Sequence, residues 1–431
     1  MTRTPPTILR SGFLSLLTLC AMLAFVAFGV GCEDKKGGET TNTSSSGAAG
    51  ATDSNPGPAA GGSGGATTKG AGNTHDTGSG PIKIGHFASM TGSEATFGVS
   101  TDNGIQLAIA ERNADGGVKG RQVELITYDN QGKQQETTTV VTRLIQQDKV
   151  VALIGEVASS RSLAGAPKAQ QFGVPMITPS STNPDVTSVG DMISRVCFID
   201  PFQGYVGAKF ARENLKLSKA ATLYNRAQAY SAGLNRNFKE SFASMGGEVV
   251  IEQAYGDGDN DFSAQLTAIR AKNPDFIYVP GYYTEVVNIA RQARRLGLNV
   301  PLIGGDGWDS EELKNAGDAL DGSYFSNHYS HEDTRPEVQA FVKKYQETYA
   351  KVPDGLAALG YDAARLLFDA MDRAPSLHGK DLADAINATK NFPGVTGNIS
   401  IDPARNATKD AVVLKIMGGR PTFEASIAAP K

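Results

Sequence analysis

The chain has 431 residues and a net charge of −4, with five histidines and three cysteines. A charge this small and this mixed in sign gives no basis for nucleic-acid binding. The length is sufficient for two domains.

The first 32 residues are typical of a bacterial export signal. Arg3 and Arg10 precede an apolar run at residues 13–28, which is shorter than the roughly 20 residues of a membrane-spanning helix. Small residues then lead directly to Cys32, a pattern that resembles the lipobox of bacterial lipoproteins, although Gly29 replaces the usual larger aliphatic residue. We therefore expect Cys32 to be lipidated; an uncleaved anchor and a soluble exported protein are the alternatives.

Residues 33–80 are rich in Gly, Ser, Thr, Ala and Asn and contain almost no large apolar side chain. Such a segment cannot bury enough surface to fold, so we interpret it as a disordered tether to a folded body that begins near Pro81. With Cys20 in the signal and Cys32 lipidated, Cys197 is the one cysteine left in the body. No internal disulfide is therefore expected, despite an exported location.

From residue 82 onward, short apolar runs alternate with segments of helical periodicity. The predicted strands are residues 82–87, 123–128, 151–154, 174–177, 220–224, 248–252, 276–279 and 301–304, a strand near 324, and 412–416. The predicted helices end near 113 or cover 137–145, 163–172, 203–215, 234–245, 262–271, 286–293, 338–345, 363–371 and 382–388. Steady alternation predicts parallel sheets, and about ten strands are many for one doubly wound sheet. We therefore expect two similar lobes.

Residues 151–185 carry the strongest local signal for a binding site. Two short apolar runs, Val151–Ile154 and Val174–Ile177, each end in small polar residues, at 155–160 and 178–182. Because parallel strands end at the same edge of a sheet, both loops are expected where ligands of open α/β sheets bind. Hydroxyl groups beside the free backbone N–H groups of a helix start suit a small carboxylate.

Seven motifs in register then carry a family resemblance. They are Thr91–Gly92 with Phe97–Gly98, Asn113 with Gly116–Gly117 and Gly120, Tyr128–Asn130, Gly155 with Ala158–Ser160, Pro175–Thr182, Gly281–Tyr282, and Gly304–Gly307. From Pro81 to about Phe423 the chain resembles the type I periplasmic substrate-binding proteins, and more closely the branched-chain amino acid (Leu/Ile/Val) receptors of ABC transporters.

The resemblance implies an α/β fold of two Rossmann-like lobes, joined by three crossovers near Asp200, Phe325 and Ile401, with a ligand cleft between them. The implied lobes are residues 81–199 with 326–400 and residues 200–325 with 401–424, followed by a tail at 425–431. It implies a monomeric periplasmic receptor, anchored by lipid to a bacterial membrane, that delivers an amino acid to a membrane permease. The ATPase subunits are separate chains in this family, and this sequence has no G-x-x-x-x-G-K-[ST] loop. No cofactor is implied.

A zwitterionic amino acid needs donors for its carboxylate and acceptors for its ammonium group. Ser159, Ser160 and Thr182 are the expected carboxylate ligands, and Ser180, Tyr282 and Asp306 the expected ammonium ligands. The expected side-chain pocket consists of Phe97, Val157, Ala158, Tyr230 and Trp308. Each residue has a structural alternative: the hydroxyl groups as caps, Asp306 as a brace for its loop, and the aromatic rings as rim or core packing.

Metal binding and catalysis are not expected. His328 and His331 have no third ligand nearby in sequence, and Ser159 is not in a G-x-S-x-G elbow. We therefore predict a binding protein and not an enzyme. An amide, urea or aromatic acid as ligand, and a sensory role for the same fold, are the alternatives to an aliphatic amino acid receptor.

Overall fold

The computed structural model describes residue 76 and residues 78–429, so the predicted signal peptide, Cys32 and most of the tether lie outside the described residues. Asp76 is already attached to the body, because the guanidinium group of Arg121 donates to its two carboxylate oxygens at 2.8 and 3.0 Å. The predicted start of the body at Pro81 is therefore a few residues late. Within the described range, every helix is too short or too polar to cross a bilayer.

Strands and helices alternate over most of this range. The strands are β1 (Ile82–Ala88), β2 (Val123–Asp129), β3 (Ala152–Ile154), β4 (Met176–Thr178), β5 (Ile193–Arg195), β6 (Lys219–Asn225), β7 (Glu248–Tyr255), β8 (Phe276–Val279), β9 (Leu302–Gly304), β10 (Tyr324–Asn327), β11 (Phe392–Gly394), β12 (Gly397–Ile401), β13 (Ala407–Thr408), β14 (Ala411–Met417) and β15 (Arg420–Ile427). The helices are α1 (Ala95–Ala114), α2 (Gln134–Gln146), α3 (Ser159–Phe172), α4 (Asp185–Ser188), α5 (Asp200–Lys209), α6 (Ala229–Ser244), α7 (Ser263–Arg270), α8 (Tyr283–Arg295), α9 (Pro336–Tyr349), α10 (Gly355–Arg373) and α11 (Gly379–Asn387). A π-helical turn continues α5 over Phe210–Asn214, and 3-10 turns cover Asp306–Trp308 and Glu311–Leu320.

The first lobe is built on a parallel sheet with strand order β2-β1-β3-β4-β5. Its strands β3 and β4 are buried along their whole length, as the short apolar runs predict for strands covered by helices on both faces. The helix α3 ends at Gly173, which adopts the left-handed conformation (φ 64°) that commonly terminates a helix.

The second lobe is built on a sheet with order β15-β14-β10-β9-β8-β6-β7. The strands β6 to β10 are parallel, and β14 and β15 form an antiparallel hairpin at one edge. The predicted apolar face of α8 is buried, and it includes Val286, Ile289, Ala290 and Ala293.

After β10 the chain returns to the first lobe. The helix α10 packs along α1, where Tyr361 donates to Glu111 at 2.6 Å and Ser100 donates to Asp354 at 2.5 Å. The helices α9 and α11 and the small sheet β11-β12-β13 complete this lobe. The two-lobed α/β architecture confirms the predicted fold class.

All ten predicted strands are present, but the limits of the lobes differ from the prediction. The strand β10 belongs to the second sheet as far as Asn327, past the predicted limit at 325/326. The strand β13 still pairs with β12 in the first lobe, past the limit at 400/401, and β15 extends to Ile427 inside the predicted tail. These limits depend on strand pairing between distant segments, which hydrophobic periodicity does not report.

Candidate functional site

A small cavity lies between the lobes, at the carboxyl ends of β3, β4 and β9. It is lined from the first lobe by Phe97, Val157, Ser159, Ser180 and Leu356, and from the second by Tyr230, Tyr282, Asp306 and Gly307. Seven of these residues are predicted site residues, which come from six separate segments of the chain. The cavity lies at the sheet edge where parallel α/β folds bind ligands.

Hydrogen bonds between the lobes close the cleft around this cavity. Ala229, at the start of α6, makes two of these bonds with its backbone. Its N–H donates to Ser160 Oγ at 3.0 Å, and its carbonyl accepts from Asn183 Nδ2 at 3.0 Å. The Tyr283 hydroxyl group donates to the carbonyl of Ser93 at 2.7 Å. The arrangement is therefore a closed one, in which both lobes line the cavity.

Ser159 is the first residue of α3, and its hydroxyl oxygen accepts the backbone N–H of Asn183 at 3.3 Å. Because its oxygen is the acceptor in that bond, its own proton remains available to a ligand. The N–H groups of Ser159 and Ser160, in the first turn of α3, have no partner within the helix, and the helix dipole favours negative charge there. This corner of the cavity suits a carboxylate.

Ser180, unlike Ser159, uses its proton within the protein and offers the cavity an acceptor. Its hydroxyl group donates to the carbonyl of Val157 at 3.4 Å, which leaves lone pairs on the Ser180 oxygen free to accept. The Val157 carbonyl is shared with Ser181, which donates to it at 2.9 Å. Ser180 is thus arranged to accept a hydrogen bond inside the cavity.

Asp306 follows β9 and begins a 3-10 turn that projects its carboxylate into the cavity. Its Oδ1 accepts from Gln203 Nε2 at 2.7 Å and from the Tyr230 hydroxyl group at 3.0 Å. Its Oδ2 lies 3.1 Å from His328 Nε2. A carboxylate can accept about four hydrogen bonds, so the three protein donors leave Oδ2 free to accept one more.

His328 is buried, stacks on Phe198 with ring centroids 3.7 Å apart, and donates to Asp306 without carrying a charge. Burial lowers the pKa of His328 to about 4, although the bond to Asp306 acts in the opposite direction. The imidazole is therefore neutral near pH 7, with its proton on Nε2 and its Nδ1 without a protein partner. The negative charge of Asp306 is solvated by neutral donors and remains available to a cation.

Aromatic rings form the wall between these two polar ends. Tyr230 and Tyr282 stack in parallel with centroids 5.2 Å apart, and the edge of Phe97 meets Tyr282 at 5.6 Å. Burial, followed by the charge of Asp306, holds the pKa of Tyr230 well above its usual value, so this hydroxyl group remains a donor. Val157 and Leu356 add aliphatic surface. The centre of the cavity is therefore apolar.

Four of the predicted site residues do not line the inner cavity. Trp308 is fully buried inside the second lobe, where its indole N–H donates to the carbonyl of Val279 at 2.9 Å, so its assignment to the pocket is wrong. Thr182 is buried beside the Asp200 carboxyl group and does not line the cavity. Ser160 and Ala158 line a second, outer cavity instead.

The outer cavity lies at the mouth of the cleft and shares Tyr282 with the inner one. Glu94 and Arg161 line it from the first lobe, and Asp257 and Glu285 from the second. Burial and, to a smaller extent, the nearby carboxylates of Glu94 and Asp257 raise the pKa of Glu285 to about 7, against the lowering effect of its hydrogen bond from Thr284. Burial also raises the pKa of Glu94, which Arg161 partly offsets.

Glu156, which the sequence analysis leaves as part of a polar loop, is fully buried within the first lobe. Its carboxylate accepts from Ser89 at 2.8 Å, from Asn130 at 3.0 Å, from Arg161 at 3.0 Å and from the N–H of Ala158 at 2.6 Å. It therefore fixes the loop that carries Val157 and Ser159 and has no contact with the cavity.

Gln203, His328 and Leu356 also belong to the site, although the site residues predicted from the sequence do not include them. Gln203 and His328 hold Asp306, and Leu356 lines the cavity from the start of α10. No local motif marks any of them, because each reaches the site from a segment far from its partners in sequence. Among the described residues, no group of three His, Cys, Asp or Glu side chains is arranged to hold a metal ion.

Comparisons with known proteins agree with this geometry. The sequence profile of the periplasmic binding protein family matches residues 81–420. The leucine-, isoleucine-, valine-, threonine- and alanine-binding protein of Pseudomonas aeruginosa is 30% identical over 327 residues, which are 74% of this chain and 86% of that protein.

Two solved structures are similar in fold and sequence. The leucine-binding protein LivK of Thermotoga maritima has a TM-score of 0.78 and 42% identity, covering 80% of this chain and 99% of that one. The branched-chain amino acid transporter substrate-binding protein LivJ of Streptococcus pneumoniae, solved with isoleucine, has a TM-score of 0.76 and 34% identity, covering 81% of this chain and 100% of that one. With its fold, its closed cleft and its profile match in agreement, the chain belongs to the periplasmic binding protein family, whose members bind solutes outside the cytoplasm.

Proposed function

We propose that this protein is the extracytoplasmic receptor of an ABC importer and that it binds an aliphatic, branched-chain amino acid in the inner cavity. The observation that carries the proposal is the placement of Ser159 and Asp306 at opposite polar ends of one apolar cavity, each from a different lobe. The relatives named for leucine, isoleucine and valine support the same ligand class.

The ligand carboxylate binds at the start of α3. Ser159 donates its hydroxyl proton, and the first-turn N–H groups of Ser159 and Ser160 add backbone donors. Charge-assisted hydrogen bonds of this kind contribute roughly 1.5–3 kcal/mol each. The residues that line the inner cavity include no arginine or lysine, so the charge of the carboxylate is met by the helix start and by hydroxyl groups.

The ligand ammonium group binds at Asp306. Oδ2 of Asp306 accepts one hydrogen bond from the ammonium group, and the Ser180 oxygen accepts a second. The face of Tyr282 lies beside them. The neutral state of His328 is essential here, because a charged imidazole would compete with the ammonium group for the same carboxylate. Phe97, Val157 and Leu356 contact the aliphatic side chain.

Binding is coupled to closure of the lobes. Ser159 and Ser180 belong to the first lobe, whereas Tyr230, Tyr282 and Asp306 belong to the second, so the ligand has all its partners only in the closed form. Its differential affinity for that form then shifts the equilibrium between open and closed forms.

A purely anionic ligand, such as an aromatic acid, is disfavoured by Asp306. A second carboxylate near this one would have to be buried without a cation, which is costly. An amide or urea lacks the charge that Asp306 is placed to neutralise. The calorimetric test therefore includes aromatic acids, amides and urea as alternatives to an amino acid ligand.

Isothermal titration calorimetry on protein refolded to remove carried ligand tests this proposal. We expect binding of leucine, isoleucine or valine, and weaker or absent binding of glutamate, acetamide, urea and benzoate. Asp306→Ala and Ser159→Ala should each weaken binding about tenfold or more. Ser244→Ala removes an exposed hydroxyl group that bonds only within its own helix, and it should bind as the wild type does.

Binding restricted to a ligand without an ammonium group would contradict the role of Asp306. Unchanged affinity in Ser159→Ala would contradict the carboxylate site in the first lobe. A complete lack of binding across this panel would contradict the amino acid receptor itself.

Lipidation of Cys32 anchors the receptor next to its permease. This part of the proposal rests on the sequence around Cys32, which lies outside the described residues. A metabolically supplied fatty acid should label the wild type and not Cys32→Ser. After detergent phase separation, the wild type should be in the detergent phase and the variant in the aqueous phase. Equal labelling of both proteins would contradict the anchor.

A further inference from the structure

The loop after β9 contacts the first lobe at a point outside the inner cavity. Asp309 lies three residues after Asp306, and its Oδ2 accepts the N–H of Gly355 at 2.6 Å and Asn327 Nδ2 at 2.7 Å. Gly355 is the first residue of α10 in the first lobe, whereas Asn327 ends β10 in the second. The carboxylate of Asp309 therefore joins the two lobes beside the crossover that follows β10.

The environment of Asp309 makes this contact a strong one. Asp309 is 6% exposed, and the N–H that it accepts lies in the first turn of a helix, where negative charge is favoured. Asp354 caps the same helix by accepting the N–H of Ala357 at 2.8 Å. The start of α10 thus receives two carboxyl groups, one from each lobe.

Neighbouring contacts between the lobes are weaker. The hydroxyl groups of Thr96 and Ser310 are 3.0 Å apart, and Lys351 lies 2.8 Å from Glu311. The Lys351 and Glu311 side chains are 57% and 49% exposed, and exposed pairs of this kind contribute little. Asp309 supplies the buried carboxyl group among these contacts.

Both ends of the Asp309 contact lead into the inner cavity. On one side, the 3-10 turn Asp306–Trp308 connects Asp309 to the carboxylate that faces the ligand. On the other side, Leu356 follows Gly355 directly and lines the cavity. A movement that forms or breaks this contact therefore moves two walls of the cavity relative to each other.

We propose that Asp309 is a positioning residue that couples ligand binding at Asp306 to closure of the lobes. In the open form Asp309 keeps its bond to Asn327, which belongs to the same lobe, and loses its bond to Gly355. In the closed form it regains that bond and sets Leu356 against the ligand. This inference rests on the proposed function, because it requires a ligand in the inner cavity.

The test compares ligand affinity with lobe closure in the full protein. Asp309→Ala should weaken binding of the amino acid that the wild type binds by about tenfold or more. Small-angle scattering should show that, at a ligand concentration that compacts the wild type, this variant retains a larger radius of gyration. Asp309→Asn keeps the size and one acceptor oxygen, so it should restore part of the affinity.

A second variant approaches the same contact from the other lobe. A Cβ atom at Gly355 would lie 2.6 Å from Asn327 Oδ1 and 2.9 Å from Asp309 Oδ2. Both atoms belong to the second lobe, so Gly355→Ala introduces a clash in the closed form that the open form does not have. We expect weaker binding in this variant with an unchanged melting temperature of the ligand-free protein.

Asp321→Ala is the matched control, because Asp321 accepts the N–H of Gly418 at 2.8 Å within the second lobe alone. It should leave ligand affinity as in the wild type. If the wild type binds ligand and both Asp309→Ala and Gly355→Ala bind within twofold of it, the inference is overturned. It is also overturned if Asp309→Ala lowers the ligand-free melting temperature while its ligand-induced compaction stays normal. Failure of the wild type to bind any amino acid would instead overturn the proposed function.

Discussion

His328 controls how much negative charge the inner cavity offers to a ligand. Its imidazole touches Asp306, yet burial holds its pKa at about 4, so near pH 7 it solvates the carboxylate without neutralising it. Gln203 and Tyr230 act in the same way on Oδ1. Because all three donors are neutral, the cavity retains a full negative charge for a cationic group.

Leu356 sets the size of the apolar part of the cavity. Leu356→Ala removes aliphatic surface that the ligand would bury, and we expect a loss of affinity for a branched-chain amino acid of about tenfold or more. The space released should improve the relative binding of phenylalanine. Calorimetry with leucine, valine and phenylalanine measures both effects.

Leu296→Ala serves as the control for this prediction. Leu296 is partly buried at the far end of α8 and does not line the inner cavity. Leu296→Ala should lower the melting temperature and leave ligand affinity close to that of the wild type. A Leu356→Ala variant with unchanged preference among the three amino acids would contradict the role of Leu356.

Most of the predicted site residues that line the inner cavity share one property: they follow directly on a short buried strand or open a helix. Ser159, Ser180 and Asp306 are reached in this way, by counting from β3, β4 and β9. Trp308 satisfies the same rule, yet its ring turns into the lobe, where Val279 accepts its N–H. Position in sequence locates the loop, whereas the direction of a side chain depends on packing.

At the scale of elements, α10 explains why Leu356 was missed. The predicted helix begins at residue 363, whereas the observed one begins at Gly355. Residues 355–364 are all buried, so this part of the helix has no polar face and gives no amphipathic period. The residue that lines the cavity therefore lies in the part of the helix that periodicity does not detect.

Short strands were missed for a related reason. The strands β5, β11 and β13 have three, three and two residues, which are too few to establish an alternation. The long helix α8 and the buried runs of β1 and β8, by contrast, were predicted from their patterns alone. Most strands of the two large sheets could thus be predicted, with the exception of β5 and β15, and the small sheet β11-β12-β13 could not.

At the scale of the whole molecule, closure brings the acidic groups of the outer cavity together. Glu285 faces Glu94 and Arg161 across the cleft, and Asp257 and Tyr255 within its own lobe. Its pKa is raised to about 7 in the closed form, mainly by burial. An exposed glutamate in an open cleft titrates near its ordinary value of about 4.3. Closure of the lobes is therefore expected to be accompanied by proton uptake at Glu285 at pH values between about 4.3 and about 7.

We expect ligand affinity to be higher at about pH 5.5 than at about pH 8, by about threefold or more, because protonation favours the closed form. The advantage should be lost as the pH rises through about 7, where Glu285 ionises in the closed form. Calorimetry with the same ligand across this range measures the effect.

Glu285→Gln removes the ionisable group and keeps the size of the side chain. Its affinity should resemble that of the protonated wild type and should vary less with pH. Glu240→Gln changes an exposed glutamate on α6 and should keep the pH dependence of the wild type. An unaltered pH profile in Glu285→Gln would contradict proton-linked closure at this site.

Alternation of strands and helices was sufficient to predict two lobes, and the cleft follows from them. The closed arrangement could not be predicted, because the contacts that define it join residues that carry no pattern of their own. Asn183 and Ser160 are polar loop and helix-start residues by sequence, and the structure alone places them against Ala229.

Ala229 makes its two bonds across the cleft with its backbone. Its N–H and carbonyl are present whatever side chain occupies the position, so a substitution by any residue other than proline keeps both bonds. Scanning substitutions at position 229 would therefore leave both bonds in place, whereas Ser160→Ala and Asn183→Ala would each remove one of them. On the α6 side the course of the main chain thus protects this closing contact from mutation, and on the side of the first lobe the contact depends on two side chains.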